Sequence, residues 1–486
     1  MKKELAETGQ LKYLLEKIGG SLDQFLRFEH SDAQSSDKNW KESLNKPVPQ
    51  KGIGIDAVSK RLSEWVIPYG SPVPNPGFTS FITTGATTAS ALASAAANIA
   101  SPQRYMMTAF NFIEELSLDW LAEMFSIPDF KGVYSSGGSV ANLVALGGAR
   151  QYAFEKIGID PAAEGLTRAV GVYASVQCHH TIQRSCGVLG VGRRAVRPIN
   201  CDADGRMLMS ELKAAIASDK EKGILPMAIV ANAGTTDIGA IDPLHEMAEI
   251  AKENEIWFHV DGAYGLPGIL DERIKDRYKG LELADSIIVD PHKWLGASVG
   301  IATTFVKDRE ILFRAFTQEP ANYLEGTVQQ QAEPETKIQH SADDFGIPYF
   351  DYGVELSAPC RGVVVWAMLQ EIGVEGMRAR IKKHNDMAAH IYKLAGEHPQ
   401  LEALNKPELS ICCFRFVDKK IEDLDGFNQR LHRRLVRANE YMPSTTKVNG
   451  QLGIRPCYVG ARHEFEQADG LLQAVLKIGN EMLAEI

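Results

Sequence analysis

Short apolar runs alternate with amphipathic segments through most of the chain. Each run is bounded by glycine, proline or polar residues, and the clearest are AVGVYA, MAIVAN, IWFHV and ADSIIV. Runs of this length, rich in β-branched residues, predict strands buried on both faces, as in a parallel sheet. Several intervening segments, among them FNFIEELSLDWLAEMF, have the period of an amphipathic helix. Repeated strand, loop and helix predict a doubly wound α/β sheet.

Both ends of the chain predict smaller units beside that sheet. Near the N-terminus, one face of a predicted helix carries Leu11, Leu14, Leu15 and Ile18, and a polar stretch follows. Such an arm buries little by itself, so we expect it to pack on a second subunit. Near the C-terminus, SICCFRFV and LGIRPCYVG predict strands, and two helix patterns accompany them in a small α+β domain. The predicted divisions are a helical arm at 1–75, a large domain at 76–365 and a small domain at 366–486.

Composition narrows the possible functions. At 486 residues the chain exceeds the usual size of one hydrophobic core, which agrees with a large domain and a smaller one. A formal net charge of −10 argues against a nucleic-acid partner or an anionic membrane surface. Seven cysteines, an odd and scattered number, are typical of reduced thiols. No secretory signal or membrane-length apolar run is visible, so we expect a cytoplasmic protein that does not bind membranes.

Two charged residues stand at the ends of predicted buried strands. Asp261 ends one apolar run and Lys293 follows the next, 293 − 261 = 32 residues later. Chemistry gathers at the carboxyl edge of parallel sheets, and burying either charge alone would be costly. A lysine amine removed from water can form a Schiff base, and an aspartate can hold the protonated nitrogen of a pyridine ring. The ordinary alternative is a turn aspartate before Gly262 and a surface lysine.

A glycine-rich loop predicts a place for phosphate. Gly137, Gly138 and Ser139 lie between a strand pattern and a helix pattern. Glycines let backbone amides approach a phosphate, and a helix N-terminus supplies unpaired N–H groups. No Gly-Lys-Ser/Thr follows, so this is not a P-loop, and the dinucleotide pattern is absent too. Ser139 as the N-cap of an unliganded helix explains the same residues equally well.

Two other motifs suggest different chemistry and are rejected. The stretch Gly296–Gly300 fits the G-x-S-x-G motif of hydrolases, which requires a helix after the serine. Here IATTFVKD follows, which is a strand pattern. Two cysteines and two histidines could be imagined as zinc ligands, but adjacent residues point in different directions and no second cluster has zinc-site spacing. We therefore predict neither a serine hydrolase nor a site formed by Cys178, His179, His180 and Cys186, and no metal.

Five blocks of sequence occur in the order and spacing of a known family. They are SSGGSVANLVAL at 135–146, QCHH at 177–180, NAGTTDIGAID at 232–242, HVDGAYG at 259–265 and DPHKW at 290–294. On these blocks the chain resembles the group II amino-acid decarboxylases that depend on pyridoxal 5'-phosphate (PLP), relatives of aromatic-L-amino-acid and glutamate decarboxylases. The resemblance covers roughly residues 60 to 480.

The resemblance implies a fold and a cofactor site. It implies an α/β protein of PLP-dependent transferase fold type I, whose large domain has a mostly parallel seven-stranded sheet between helices. It implies a homodimer in which the second subunit completes each active site. Lys293 would carry PLP as a Schiff base, Asp261 would bind the pyridine nitrogen, and His179 would stack on the ring. The full implied cofactor-binding set is Gly138, Ser139, His179, Thr236, Asp261, Ala263, Asp290, His292 and Lys293.

It also implies residues for the substrate. Phe81 and Ile82 would face the substrate side chain, and Thr84 would lie near its carboxylate. Arg455 would bind that carboxylate, as an arginine is suited to do, with Arg361 as a second candidate. A tyrosine of a catalytic loop would help to protonate the intermediate; Tyr349 matches best by position, and Tyr323 is the competing match. Relatives commonly have His-Pro where this chain has Asn75-Pro76, which bears on substrate choice.

We therefore expect decarboxylation of an L-amino acid to its amine and CO2. The apolar face offered by Phe81 and Ile82 favours an aromatic or hydrophobic substrate over glutamate. Other reactions on the same scaffold stay open: decarboxylation of an acidic or diamino acid, aldehyde formation, transamination or carbon–carbon cleavage. A non-catalytic binding protein is a further alternative, which retention of the lysine, aspartate and histidine together disfavours.

Overall fold

The computed structural model describes residues 11–28, 39–101, 103–104, 109–317 and 347–486. The strands in these ranges are β1 (Phe78–Thr79), β2 (Lys131–Ser135), β3 (Val170–Ser175), β4 (Val196–Ile199), β5 (Leu225–Asn232), β6 (Trp257–Asp261), β7 (Ser286–Val289), β8 (Ala302–Val306), β9 (Leu401–Ala403), β10 (Phe414–Phe416), β11 (Met442–Val448) and β12 (Gln451–Arg455). The helices are α1 (Leu11–Phe25), α2 (Asn39–Leu44), α3 (Ile55–Arg61), α4 (Thr88–Ala100), α5 (Ala109–Met124), α6 (Gly138–Glu155), α7 (Thr181–Val188), α8 (Met209–Glu221), α9 (Leu244–Asn254), α10 (Glu310–Phe316), α11 (Gly362–Glu397), α12 (Leu424–Arg437) and α13 (Phe465–Leu483). None of the helices placed in these ranges has both the length and the apolar character of a membrane span.

The large sheet has seven strands in the order β2-β8-β7-β6-β5-β3-β4. β3 to β7 run parallel to one another, and β8 is antiparallel to its neighbours β2 and β7. Val230, Val260 and Ile287, one from each central strand, are fully buried. α6 packs along β5 to β8, while α8 and α9 cover β3, β5 and β6. The prediction of a mostly parallel seven-stranded sheet with helices is therefore confirmed.

A second sheet of five strands has the order β1-β11-β12-β10-β9. With α12 and α13 it surrounds a separate cluster of buried apolar residues, including Phe414, Phe416 and Leu431. β1 pairs in parallel with β11, so Phe78 lies beside Met442 although the two are far apart in sequence. The predicted boundary between residues 365 and 366 lies inside α11, a long helix interrupted at Gly373, where φ is 68°. That helix therefore connects the two sheets.

Two buried histidines belong to the contact between the sheets. His384 in α11 accepts a hydrogen bond from Trp294 Nε1 at 2.9 Å. His463 Nδ1 accepts from the backbone N–H of Gly460 at 3.1 Å, and its Nε2 lies 3.3 Å from the carbonyl oxygen of Phe78. Burial lowers the pKa of His463 to about 4 and that of His384 well below its usual range. Both imidazoles are therefore neutral at pH 7.

We expect His463 to make stability depend on pH. An unfolded histidine has a pKa of about 6.5, so its neutral burial stabilises the fold fully above that pH and progressively less as pH falls towards 4. From pH 7 to pH 5, this one group should remove about 2 kcal/mol from the free energy of unfolding. The measurement is urea unfolding of the wild type and His463→Gln at both pH values. An equal loss in the two proteins would contradict this assignment.

Candidate active site

A cavity of about 450 Å³ opens at the carboxyl ends of β5, β6 and β7, beside the N-terminus of α6. Its position follows from the parallel strands, whose ends leave a crevice at one edge of the sheet. The structure brings every residue of the implied cofactor set to its lining, namely Gly138, Ser139, His179, Thr236, Asp261, Ala263, Asp290, His292 and Lys293.

Lys293 lies in a short turn after β7, and its amine is held by a buried carboxylate. The turn Pro291–Leu295 breaks helical geometry at Lys293, where φ is −93° and ψ is −108°. Lys293 Nζ lies 3.0 Å from Asp290 Oδ2, and the side chain of Asp290 is 2% exposed. Asp290 Oδ1 is buried and has no hydrogen-bond partner among the residues described. Asp290 therefore binds the Lys293 amine through one oxygen, while its other oxygen has no hydrogen-bond donor among the described residues.

Asp261 is the last residue of β6, and each of its carboxylate oxygens accepts a hydrogen bond from a neutral donor. Oδ1 accepts from the backbone N–H of Ala263 and Oδ2 accepts from Asn142 Nδ2, both at 3.1 Å. The carboxylate is largely buried. Within the described ranges, no lysine or arginine forms an ion pair with it. A buried carboxylate without a cation suits a ligand that brings a positive charge, such as a protonated pyridine nitrogen.

His179 follows β3 and presents a neutral ring to the same cavity. Its Nδ1 lies 2.8 Å from Thr181 Oγ1 at the start of α7. Burial is the main cause that lowers the pKa of His179, and the opposing effect of Asp261 is smaller. A neutral imidazole half-buried beside a carboxylate and an amine can stack on a planar ring and hold a proton on its other nitrogen.

The glycine loop brings the N-terminus of α6 against Asp290. Gly137 has φ of 149°, a conformation that side chains rarely allow, and α6 begins at the next residue. A Cβ on Gly138 would lie 2.6 Å from Asp290 Oδ2, so only glycine permits this approach. The N–H of Val140 donates to the carbonyl oxygen of Gly137 at 2.9 Å, whereas those of Gly138 and Ser139 have no backbone acceptor among the described residues, which favours an anion there. An anion cradle, an amine, a carboxylate and an imidazole together fit PLP.

The implied substrate residues lie outside the described lining of the cavity. Phe81 is 68% exposed and has φ of 58°, while Ile82 is partly buried against the main core. Thr84 is buried, and its hydroxyl donates to the carbonyl oxygen of Gly85 at 3.2 Å.

Arg455 is 3% exposed and its guanidinium is engaged by backbone carbonyls. It donates to the carbonyl oxygens of Phe81 at 2.8 Å, Asp237 at 3.0 Å and Thr236. In this arrangement Arg455 joins the segment of Phe81 to the loop of Thr236. Arg361, the second candidate, pairs with Glu355 at 2.9 Å.

The structure does not bring Tyr349 to the cavity. Its side chain is fully buried, and its hydroxyl donates to Glu115 Oε2 at 2.6 Å. Burial and the Glu115 carboxylate raise the pKa of this phenol, which opposes ionisation. The competing candidate, Tyr323, lies outside the described residues.

Two further observations concern sequence features. The motif at Gly296–Gly300 is followed by β8 rather than a helix, and Ser298 Oγ donates to the carbonyl oxygen of Ser90, so the rejection of a hydrolase elbow agrees with the structure. Sequence reasoning missed Asn142 and Thr181, which also line the cavity. Asn142 lies one helical turn after Gly138, and this spacing places both on one face of α6. That spacing was the available signal.

Comparisons with known proteins agree with this geometry. The model of the pyridoxal-dependent decarboxylase conserved domain matches residues 38–417. The aromatic-L-amino-acid decarboxylase of Bacillus atrophaeus is 32% identical over 371 residues, covering 75% of this chain and 72% of the relative. The phenylacetaldehyde synthase of Arabidopsis thaliana is 28% identical over 360 residues, covering 72% and 70%. A crystal structure of Oryza sativa TDC with PLP and tryptamine has a TM-score of 0.88 at 23% identity, covering 99% of this chain and 100% of that chain.

The fold and the site define a PLP-dependent enzyme of fold type I. Within that class, the chain belongs to the family of pyridoxal-dependent decarboxylases and is a carboxy-lyase. The resemblance drawn from the five sequence blocks is thereby confirmed, and so is the cofactor.

Gly138→Ala should weaken PLP binding without unfolding the protein. The added methyl group would lie 2.6 Å from Asp290 Oδ2, so the loop or the carboxylate must move. Overpacking of this kind costs about 1–3 kcal/mol, so we expect roughly a 10-fold loss in PLP affinity. Spectroscopic titration with PLP measures it. Gly396→Ala, with no atom within 4 Å of the new Cβ, is the matched control and should bind PLP like the wild type.

Proposed function

We propose that the protein removes the α-carboxyl group of an aromatic or hydrophobic L-amino acid as CO2 and releases the amine. The observation that carries the proposal is the convergence of Lys293, Asp261 and His179 on one cavity at the carboxyl edge of the sheet. The resemblance of the chain to an aromatic-L-amino-acid decarboxylase supports an aromatic substrate.

Each of these side chains has a role that its surroundings support. Bound PLP supplies a ring that withdraws the electrons left on the α-carbon when CO2 departs. Lys293 anchors the cofactor covalently, and Asp290 Oδ2 holds a proton of the Lys293 amine whenever that amine is free. Asp261 would accept a hydrogen bond from the protonated pyridine nitrogen. A proton then replaces the carboxyl group on the α-carbon, which balances the loss of CO2.

The residues at the margins of the cavity have supporting roles in the proposal. The start of α6 at Gly138 and Ser139, with His292, holds the phosphate, while Thr236 and Ala263 border the ring. Phe81 and Ile82 contact the substrate side chain, with Thr84 nearby. Arg455 acts through the backbone of Phe81 and Thr236, to which its guanidinium donates. Because the hydroxyl of Tyr349 donates to Glu115, Tyr323 becomes the better candidate for the proton donor.

The proposal includes a homodimer. α1 has no buried residue, and Leu11, Leu15 and Leu22 are 44%, 49% and 44% exposed on one face. An apolar helical face of this kind requires a partner to leave water. The exposed aromatic side chain of Phe81 agrees with a second subunit that closes the cavity. The seven cysteines are all unpaired, which supports a cytoplasmic location.

Aldehyde formation is the second candidate reaction. A phenylacetaldehyde synthase resembles this chain almost as closely as a decarboxylase does. The two outcomes differ in what happens to the α-carbon after CO2 leaves. Protonation gives the amine, whereas two-electron oxidation by molecular oxygen, which becomes hydrogen peroxide, followed by hydrolysis with loss of ammonia gives the aldehyde. The identity of the proton donor is therefore the structural point that separates them.

Lys293→Ala should lose the visible absorbance that PLP gains in the wild type, because no other amine faces Asp290 in the described cavity. Turnover should fall roughly 1,000-fold or more, as expected when a covalent catalytic group is removed. The measurement combines absorbance spectra with CO2 release. An unchanged spectrum in the variant would disprove the role of Lys293.

Incubation of the PLP-loaded protein with a mixture of natural amino acids tests the substrate class. We expect amines derived from aromatic amino acids, detected by mass spectrometry, with one CO2 for each amine. Glutamate-derived amine as the main product would contradict the aromatic assignment. Aldehyde in place of amine would favour the second candidate reaction.

Leu15→Glu combined with Leu22→Glu should dissociate the proposed dimer, because burial of an unpaired charge costs several kcal/mol. Light scattering after size exclusion should give twice the 53.4 kDa chain mass for the wild type and a lower mass for this variant. The control replaces Glu16 with Gln and Asp23 with Asn on another face of α1, and it should stay dimeric. A monomeric wild type would refute the dimer.

A further inference from the structure

We propose that Asn142 is a positioning residue for both Asp261 and His179, and that Trp257, Ser286 and His259 fix the direction in which its amide points. The inference rests on the proposed function, since it concerns the two side chains assigned to the cofactor ring. These four residues are not part of the implied cofactor set. All four are at least nine-tenths buried.

The geometry follows from the period of β6. Residues two apart along a strand share a face, so Trp257, His259 and Asp261 point to the same side of the sheet. On β7, Ser286 is the register partner of His259. Asn142 in α6 lies over that face and contacts both His259 and Asp261. The buried face of one strand therefore carries a row of polar groups that ends at the active site.

Hydrogen bonds join these groups without a gap. Trp257 Nε1 donates to Ser286 Oγ at 2.8 Å, and Ser286 Oγ lies 2.9 Å from His259 Nδ1. His259 Nε2 lies 2.8 Å from Asn142 Oδ1. Asn142 Nδ2 donates to Asp261 Oδ2 and to Thr181 Oγ1, both at 3.1 Å.

The donor and acceptor roles in this series of hydrogen bonds are determined at both of its ends, Trp257 and Asp261. An indole N–H can only donate, so Ser286 Oγ accepts from Trp257 and its own hydrogen is available to His259 Nδ1. At the other end, a carboxylate can only accept, so Asn142 must turn Nδ2 towards Asp261. Both requirements place the hydrogen of His259 on Nε2. Burial lowers the pKa of His259 to about 4, so the imidazole is neutral and has a single hydrogen to place.

The same amide also bears on how His179 is protonated. The backbone N–H of Thr181 donates to His179 Nδ1 at 3.4 Å, so this nitrogen accepts. Asn142 donates to Thr181 Oγ1, which leaves the Thr181 hydroxyl hydrogen available for the same nitrogen at 2.8 Å. An accepting Nδ1 requires the hydrogen of His179 on Nε2. Asn142 therefore gives Asp261 a hydrogen-bond donor and, through Thr181, supports the His179 tautomer whose Nε2 can deliver a proton.

Asn142→Asp is the sharpest test, because it keeps the shape of the side chain and removes its N–H donors. A second carboxyl group would then lie about 3 Å from Asp261, where two carboxylates cannot both remain charged. We expect PLP affinity to fall roughly 10- to 100-fold, in the range found when a supporting hydrogen-bond partner is lost. The pH at which the absorbance of bound cofactor changes should also shift, which a purely structural role would not produce.

Asn385→Asp is the matched control. Asn385 is 8% exposed and donates to the buried carboxylate of Asp271 at 3.0 Å, outside the site. It makes the same chemical change and should leave the affinity and the spectral transition as in the wild type. Equal behaviour of the two variants would overturn the role of Asn142. Trp257→Phe, which removes only the first donor, should give an intermediate effect and serves if Asn142→Asp does not fold.

Nitrogen NMR of histidine-labelled protein tests the donor and acceptor roles in this series of hydrogen bonds, and it needs no cofactor. We expect His259 and His179 to carry their hydrogens on Nε2. A hydrogen on Nδ1 of His259 would overturn the inference even in an active enzyme. A wild type with both Nε2 tautomers that fails to bind PLP would instead refute the proposed function and leave the hydrogen-bond arrangement established.

Discussion

The negative charge of Asp261 at the end of a buried strand is the constraint on which the site depends. β6 is covered on both faces, so a carboxylate there is removed from most water and needs compensation. Two neutral donors supply part of it, and no cation of the described protein supplies the rest. The arrangement is stable enough to fold yet leaves an electrostatic demand that a pyridinium nitrogen meets. The incomplete compensation of this carboxylate lowers the local stability of the fold, and it favours the binding of a cationic aromatic ligand.

The charged groups of the site also differ in how fully their hydrogen bonds and ion pairs are satisfied within the described protein. Lys293 is paired with Asp290, so the amine is not left alone in the cavity before the cofactor arrives. Asp290 is pressed against the glycine at the start of α6, and one of its oxygens has no donor among the described residues. A ligand that takes the amine and brings its own hydrogen-bonding groups changes the partners of both residues. Cofactor binding and local electrostatics are therefore coupled through a very short segment of chain.

Much of this could be predicted from sequence, because it depends on local patterns. Buried strands are recognised in the sequence as apolar runs, and Asp261 and Lys293 stand out as charged residues next to such runs. The pairing of β1 with β11 and the bond from Arg455 to Phe81 could not be predicted, since they join segments hundreds of residues apart. The position of Tyr349 in the chain predicts a proton donor. Its hydroxyl instead donates to Glu115, a residue far away in sequence, and no local pattern reveals that contact. Asn142 was missed for a different reason: its one local signal is its position a helical turn after Gly138, and its contacts with His259 and Asp261 join segments far apart in sequence.

The pairing of β1 with β11 has a consequence for the placement of Phe81. Because Phe78–Thr79 is hydrogen-bonded into the five-stranded sheet, the residues that follow it are tethered to the C-terminal half of the protein. The bond from Arg455 to the carbonyl oxygen of Phe81 reinforces that tether from β12. The segment that carries Phe81 is thus attached to the five-stranded sheet, while Lys293 follows a strand of the seven-stranded sheet. In the proposed function, the fit of the substrate therefore depends on how the two sheets pack against each other, and substitutions between them can alter substrate selectivity.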